Sequence, residues 1–259
     1  MSRPFREGQR VLLLDNKGRR YLITLAAGGA FHSHAGWFSH DELIGREEGA
    51  ETRTTSGARY IALRPTLADF VLKMPRGAQV IYPKDLGQIL MMADVFPGAR
   101  VLEAGVGSGA LSMALLRAGA EVVGYEVRPD FAARARSNVE SFLGPEAAER
   151  FQVADKDIYE GIAEDGLDRV VLDLPEPWRV VPHAVEALRP GGLLVSYLPT
   201  IGQVSQLREA LGEAPFVQAE TVEVLVRSWH VEGRSVRPDH RMVGHTGFLT
   251  SARFTPLSR

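Results

Sequence analysis

The segment Val101-Leu-Glu-Ala-Gly-Val-Gly-Ser-Gly109 carries the densest chemistry in the chain. An apolar strand pattern runs into three glycines at alternate positions, and a helical pattern follows. Glycine lets backbone approach a ligand closely and adopt positive φ. The spacing Gly105-x-Gly107-x-Gly109 differs from the dinucleotide fingerprint, whose last two glycines stand three apart. It also lacks the Gly-Lys-Ser/Thr of a phosphate loop. Glu103 precedes the turn, where an acid repels a pyrophosphate and suits a cationic ligand. The sulfonium and amino group of S-adenosylmethionine fit that description. A second strand ends in Tyr125-Glu126, and a carboxylate there can take both hydroxyls of a ribose. A third ends near Asp155, where a carboxylate can meet an adenine amino group. A fourth ends at Asp173-Leu-Pro-Glu-Pro-Trp178. Ligands of open α/β sheets bind at the carboxyl ends of strands, and Glu103, Glu126, Asp155 and Asp173 all fall at that edge. Single strand-end acids often only cap helices. Four in order, with the glycine turn after the first, favour an S-adenosylmethionine site.

The elements that must position these groups follow a regular alternation from residue 100. Strands are expected at 100–104, 121–126, 150–154, 167–174 and 192–198, with helices at 108–119, 129–143, 183–188 and 201–211. Strands alternating with helices predict a parallel sheet with right-handed crossovers. Two long strands, 221–228 and 246–254, have no convincing helix between them. They suggest a hairpin, making one edge of the sheet antiparallel. Upstream, Thr66 and Asp69 form a loose capping box before a helix that Pro75 ends, and a second helix runs over 86–96 until Pro97-Gly98. Residues 9–64 read as β-rich, with a hairpin at Asn16-Lys17-Gly18. The expected organisation is a small N-terminal β domain at 1–64 and a Rossmann-like domain at 65–259, α/β overall.

The 259 residues include no cysteine, which excludes a disulfide scaffold, a cysteine nucleophile and any thiolate metal site. His32, His34 and His40 cluster, but no helical His-x-x-x-His pair accompanies them, so no metal is expected. No apolar run approaches the ~20 residues that span a bilayer, and the first residues lack an apolar signal core. A cytoplasmic protein without a membrane association is therefore expected. Net charge is −2, so no global field attracts nucleic acid, yet residues 1–64 carry +3 and residues 227–259 carry +4 around an acidic middle. Basic ends of this kind suit a polyanion surface, or are simply solvated arginines.

Taken together, Tyr82-Pro-Lys-Asp85, Glu103-Ala-Gly-x-Gly-Ser-Gly109, Leu172-Asp-x-x-x-Pro-Trp178 and Gly244-His-Thr-x-Phe-Leu249 resemble the tRNA (adenine-58-N1)-methyltransferases of bacterial and archaeal type. The resemblance runs over nearly the whole chain. It implies a class I methyltransferase sheet, mostly parallel with an antiparallel edge strand, joined to the small β domain. It further implies S-adenosylmethionine as cofactor, tRNA as partner, a homotetramer, and methylation of N1 of adenine 58 in the T-loop. Carried over by position, Glu103 and Gly105, Val106, Gly107, Ser108, Gly109 and Ala110 would wrap the methionine part of the cofactor. Glu126 would hold the ribose, Asp155 the adenine, and Phe131, where the family often has histidine, would lie beside the adenosine. Asp173 would be the catalytic aspartate and would also border the cofactor. Tyr82, Tyr197 and His245 would line the target-base pocket. Trp37, Phe38 and the front histidines would face tRNA or fill a small core. Two other readings stay open: another class I enzyme on the same cofactor, and a non-catalytic RNA-binding module with a relict cofactor fold.

Overall fold

The computed structural model describes residues 4–77 and 79–256. The chain divides into two compact units between Met74 and Pro75.

In the front unit, β1 (Arg10–Asp15) and β2 (Arg20–Thr24) form the hairpin expected at Gly18, which takes φ 75°. Asp15 closes the turn by accepting from the Lys17 and Arg19 amides, each at 2.9 Å. β3 (Ala30–Ser33) and β4 (Gly36–Ser39) make a second hairpin, and β5 (Glu51–Arg53) and β6 (Arg59–Leu63) complete a four-stranded antiparallel sheet ordered β2-β1-β6-β5. Alternation along β1 and β6 buries Val11, Leu13, Tyr60 and Ala62. Phe31, Phe38 and Tyr60 meet within 6 Å to form an aromatic core. Phe38 is therefore core, while Trp37 is 47% exposed and stacks on His32. His40 is buried, and its Nδ1 accepts from the Ala26 amide. The helix α1 (Leu67–Lys73) opens on the Thr66/Asp69 capping box and belongs to this unit, beyond the 64/65 boundary read from sequence.

The second unit begins with α2 (Pro83–Met92). Then come β7 (Arg100–Ala104), α3 (Ala110–Arg117), β8 (Glu121–Tyr125), α4 (Pro129–Leu143), α5 (Pro145–Ala148), β9 (Phe151–Ala154) and β10 (Leu167–Leu172). The chain continues through α6 (Val181–Ala187), β11 (Leu188–Leu198), α7 (Ile201–Glu213), β12 (Phe216–Glu223), β13 (Trp229–Glu232), β14 (Ser235–Pro238) and β15 (Phe248–Phe254). Seven strands form one sheet ordered β12-β15-β11-β10-β7-β8-β9. The pairs from β11 through β9 are parallel, whereas β15 runs antiparallel to both β11 and β12. β10 lies mid-sheet and all six of its residues are buried, as a strand covered on both faces must be. Its Arg169 stays inside by donating to the Ala93, Asp94 and Asp168 carbonyls.

Register sets the site. Ala104 pairs with Tyr125, Tyr125 with Ala154, and Leu172 with Ala104. The next residue of each strand, Gly105, Glu126, Asp155 and Asp173, therefore leaves the sheet at one edge. Leu198 pairs with Phe248, and Phe248 with Glu223, which brings the entry to β15 to the same edge.

Two features depart from the sequence reading. β11 starts at Leu188, not at 192: the Pro190-Gly191 pair reads as a turn, but a register shift between Leu167 and Arg169 lets the strand pass through it. The strand expected at 221–228 lies earlier, at β12 (Phe216–Glu223), and a β13–β14 hairpin turning at Gly233 occupies part of the segment before β15, where no helix is expected.

Candidate active site

All three glycines of the turn after β7 take positive φ, at 84°, 55° and 83° for Gly105, Gly107 and Gly109. At Gly105 the need is double, because a Cβ would collide with the Asp173 carbonyl oxygen. The Asp173 amide donates to the Ala104 carbonyl at 2.9 Å, so the β7 and β10 exits are clamped together. The Asp-Leu-Pro-Glu-Pro-Trp loop is held further along. Gln203 donates to the Pro175 carbonyl at 2.9 Å, and the Glu176 amide donates to the Tyr159 hydroxyl at 3.2 Å.

Glu103 is wholly buried, and neither of its carboxylate oxygens has a hydrogen-bond partner. Burial pushes its carboxyl up to about 8, and the charges of Asp173 and Glu126 add to the effect. The buried hydroxyls of Ser108 and Ser112 are also without partners. Burial pushes the Asp173 carboxyl up to about 7. Glu103, Asp173 and the turn residues Gly105, Val106, Gly107, Ser108 and Ala110 line one small cavity, with Gln79, Val80 and Ile81 opposite.

Glu126 is buried and fixed: Oε2 accepts from the Gly107 amide at 2.9 Å and Oε1 from the Arg128 amide at 3.1 Å. It borders a second cleft of about 240 Å³ lined by Gly105, Tyr125, Lys156, Asp157, Tyr159 and Leu174, among others. The two cavities share Gly105. Sequence reasoning missed Tyr125, Lys156 and Tyr159 here, since a cleft wall carries no local motif. Asp155 is exposed, and its neighbours Lys156 and Asp157 line the cleft in its place. Phe131 lies in the first turn of α4, 7% exposed, with the Arg128 guanidinium 3.6 Å from its ring centroid, and lines neither cavity.

Tyr82 caps α2. Tyr197 in β11 donates to the Thr246 carbonyl at 2.5 Å. Burial pushes its hydroxyl up to about 12, with the charges of Asp85 and Asp173 adding to the effect. Its ring needs Gly247, where a Cβ would strike it. His245 spans Glu223 Oε1 at 2.7 Å and the Pro199 carbonyl at 2.8 Å, and these two acceptors raise its pKa, largest first the Glu223 carboxylate. Among the described residues, no cluster of three His, Cys, Asp or Glu could hold a metal ion.

These donors fit S-adenosylmethionine. An unpartnered buried carboxylate beside a second acid suits a cation, the glycine turn gives close backbone approach, and Glu126 Oε2, which accepts from the Gly107 amide, keeps a lone pair for a sugar hydroxyl.

The chain matches the family model described as tRNA methyltransferase complex GCD14 subunit over residues 59–237, and the TrmI-like N-terminal model over residues 4–50. It is 42% identical over 246 residues to the tRNA (adenine(58)-N(1))-methyltransferase TrmI of Thermus thermophilus, covering 94% of this chain and 96% of that one. A solved SAM-dependent O-methyltransferase from Thermotoga maritima superposes with TM-score 0.94 at 34% identity, covering 98% and 96% of the two chains. The tRNA (m1A58) methyltransferase TrmI of Aquifex aeolicus gives 0.85 at 29% identity, covering 97% and 98%.

Proposed function

Because the chain belongs to the family of tRNA (adenine-58-N1)-methyltransferases, we propose that it transfers a methyl group from S-adenosylmethionine to N1 of adenine 58 in the T-loop of tRNA, with Asp173 as the catalytic residue. The observation that carries the site assignment is the clamp between the two strand exits, which sets Asp173 in the wall of the same small cavity as Glu103 and the glycine turn.

S-adenosylmethionine, when bound, supplies an electrophilic methyl on a sulfonium. Glu103 faces its cationic end, the amides and glycines of 105–110 hold its methionine part, and Glu126 takes the ribose hydroxyls. The cleft that Glu126 borders, lined by Tyr125, Lys156, Asp157 and Tyr159, would take the adenosine side in place of Asp155 and Phe131. N1 of adenine carries no proton at neutral pH, so attack needs placement in line rather than a strong base. Asp173 accepts a hydrogen bond from the exocyclic amino group, which orients the ring. The same carboxylate then stabilises positive charge as the ring becomes cationic. T-loop adenine is stacked within tRNA and must be flipped out; Tyr82, Tyr197 and His245 form the wall that receives it.

Two partner assignments belong to the same reading. tRNA also meets the front unit, where the exposed Trp37–His32 stack offers a platform for a base and Arg19 stands beside His34. The chain works as a homotetramer in the cytoplasm. Exposed Trp229, Val231 and Val236, which share one face of the β13–β14 hairpin, form an apolar surface of the kind that copies cover. No helix among the described residues is long and apolar enough to cross a membrane.

Incubation with labelled S-adenosylmethionine and an unmodified tRNA transcript tests the reading. Transfer to the transcript, and its loss when adenine 58 is replaced by uridine, are expected. Equal labelling of both transcripts overturns it.

A further inference from the structure

Lys84 and Asp85 sit at the start of α2, inside the motif that also supplies Tyr82, yet the chemistry above uses neither. Asp85 is completely buried, and the Lys84 side chain is 9% exposed. The Lys84 ammonium has three partners, one for each proton. It donates to Asp85 Oδ1 at 2.8 Å, to the Val224 carbonyl at 2.7 Å and to Thr246 Oγ1 at 2.6 Å. The Thr246 hydroxyl accepts from Lys84 and donates to Asp85 Oδ2 at 2.7 Å. Every donor and acceptor of this closed ring is matched in sign.

The ring joins three segments far apart in sequence: the α2 start, the exit from β12 at Val224, and the entry to β15 at Thr246. Its consequences reach the proposed base pocket through the backbone of residue 246. The carbonyl of Thr246 accepts the Tyr197 hydroxyl. The residue before it is His245, whose ring is steered by Glu223, next to Val224, and by Pro199. Lys84 thus grips both neighbours of the His245–Glu223 pair, at Thr246 and at Val224.

We propose that Lys84 and Asp85 are positioning residues for the target base, acting through Thr246 to hold Tyr197 and His245 on the pocket wall opposite Asp173. The proposal rests on the reading of the base pocket given above. A buried charge pair of this kind is a poor source of net stability, since replacing both members by apolar residues is often neutral. Its retention is explained by geometry: Met and Leu would fill the space but leave the Thr246 hydroxyl and the Val224 carbonyl without their ties.

The test uses the double variant Lys84→Met/Asp85→Leu, which avoids stranding a buried charge, and Thr246→Val, which deletes the shared hydroxyl at nearly constant volume. Thermal melts, calorimetric affinity for S-adenosylmethionine alone, amide hydrogen exchange of residues 244–250, and single-turnover methylation of tRNA are measured on each. The double variant should melt near wild type and keep its cofactor affinity. Its 244–250 amides should exchange faster, and single-turnover methylation should fall by about 10²-fold, the size expected for a misplaced reacting group. Thr246→Val should move in the same direction by a smaller factor. Wild-type single-turnover rates in Thr246→Val and in a folded double variant, or exchange at 244–250 unchanged in both, overturn the proposal. If instead the wild-type protein fails to methylate tRNA while the exchange difference is present, the base-pocket reading fails and the tie itself stands.

Discussion

Asp173 and Glu103 stand in one cavity, and their titrations work on different observables. Asp173 must be ionised to accept from the adenine amino group, and burial raises it from 3.8 to about 7. Methylation measured at subsaturating S-adenosylmethionine and tRNA, which reports the free enzyme, should therefore rise with pH through about 7 and level off above it. Asp173→Ala should lower turnover by about 10²–10³ and leave cofactor affinity much less changed, because Glu103 and Glu126 remain. A variant with wild-type single-turnover rate and a lowered melting temperature would reduce Asp173 to a structural cap. Glu103 bears on stability. Its folded-state value of about 8 lies above its ordinary 4.5, so the ligand-free folded protein holds a proton that the unfolded chain has released. That contribution is complete below about 4.5 and is lost as pH rises through about 8; Asp173 adds in the same direction up to about 7. Melts of the ligand-free protein should fall in temperature between pH 5.5 and 8.5, and Glu103→Gln should flatten the fall. Parallel curves for the two proteins would contradict the burial of an unpartnered carboxylate.

At the scale of elements, the glycine turn is the piece on which both cavities depend. Gly105→Ala places a Cβ against the Asp173 carbonyl at φ 84°, so either the turn or the β10 exit must move. Loss of S-adenosylmethionine affinity by at least tenfold, together with a lowered melting temperature, is expected by calorimetry and thermal melts. Gly107→Ala meets nothing within contact distance except the Gly105 carbonyl at 4.0 Å, and should cost only the strain of its backbone. Equal effects of the two would argue against the clamp. The parallel strands and their acids were legible in the sequence because apolar runs ending in Gly or Asp repeat between helical patterns. The β13–β14 hairpin was not, since its side chains are mostly solvent-exposed and so show no alternation. Nor was the Lys84–Asp85–Thr246 ring, which joins residues some 160 positions apart; only the quoted motifs at 82–85 and 244–249 hinted that both ends mattered. Trp37 and Phe38, left open between a tRNA-facing surface and a small core, are divided by strand alternation: Phe38 fills the core and Trp37 faces solvent.

Over the whole molecule, the clearest unfinished surface is the apolar arm beyond β12. Trp229, Val231 and Val236 are 58%, 70% and 60% exposed, and a second copy is the partner that the proposed homotetramer supplies. Light scattering at micromolar concentration should give about four times the 28.4 kDa chain mass; a mass near one chain would refute it. In the proposed reaction this chain puts a methyl group on N1 of one T-loop adenine, and Asp173 orients that adenine. The measurement is nucleoside mass spectrometry with position mapping on an unmodified tRNA transcript after single turnover, for wild type and Asp173→Ala side by side. Wild type should give 1-methyladenosine at position 58, and the variant the same product at about 10²–10³ lower rate. A methyl group on a hydroxyl or at another position, or equal rates for the two proteins, would contradict it.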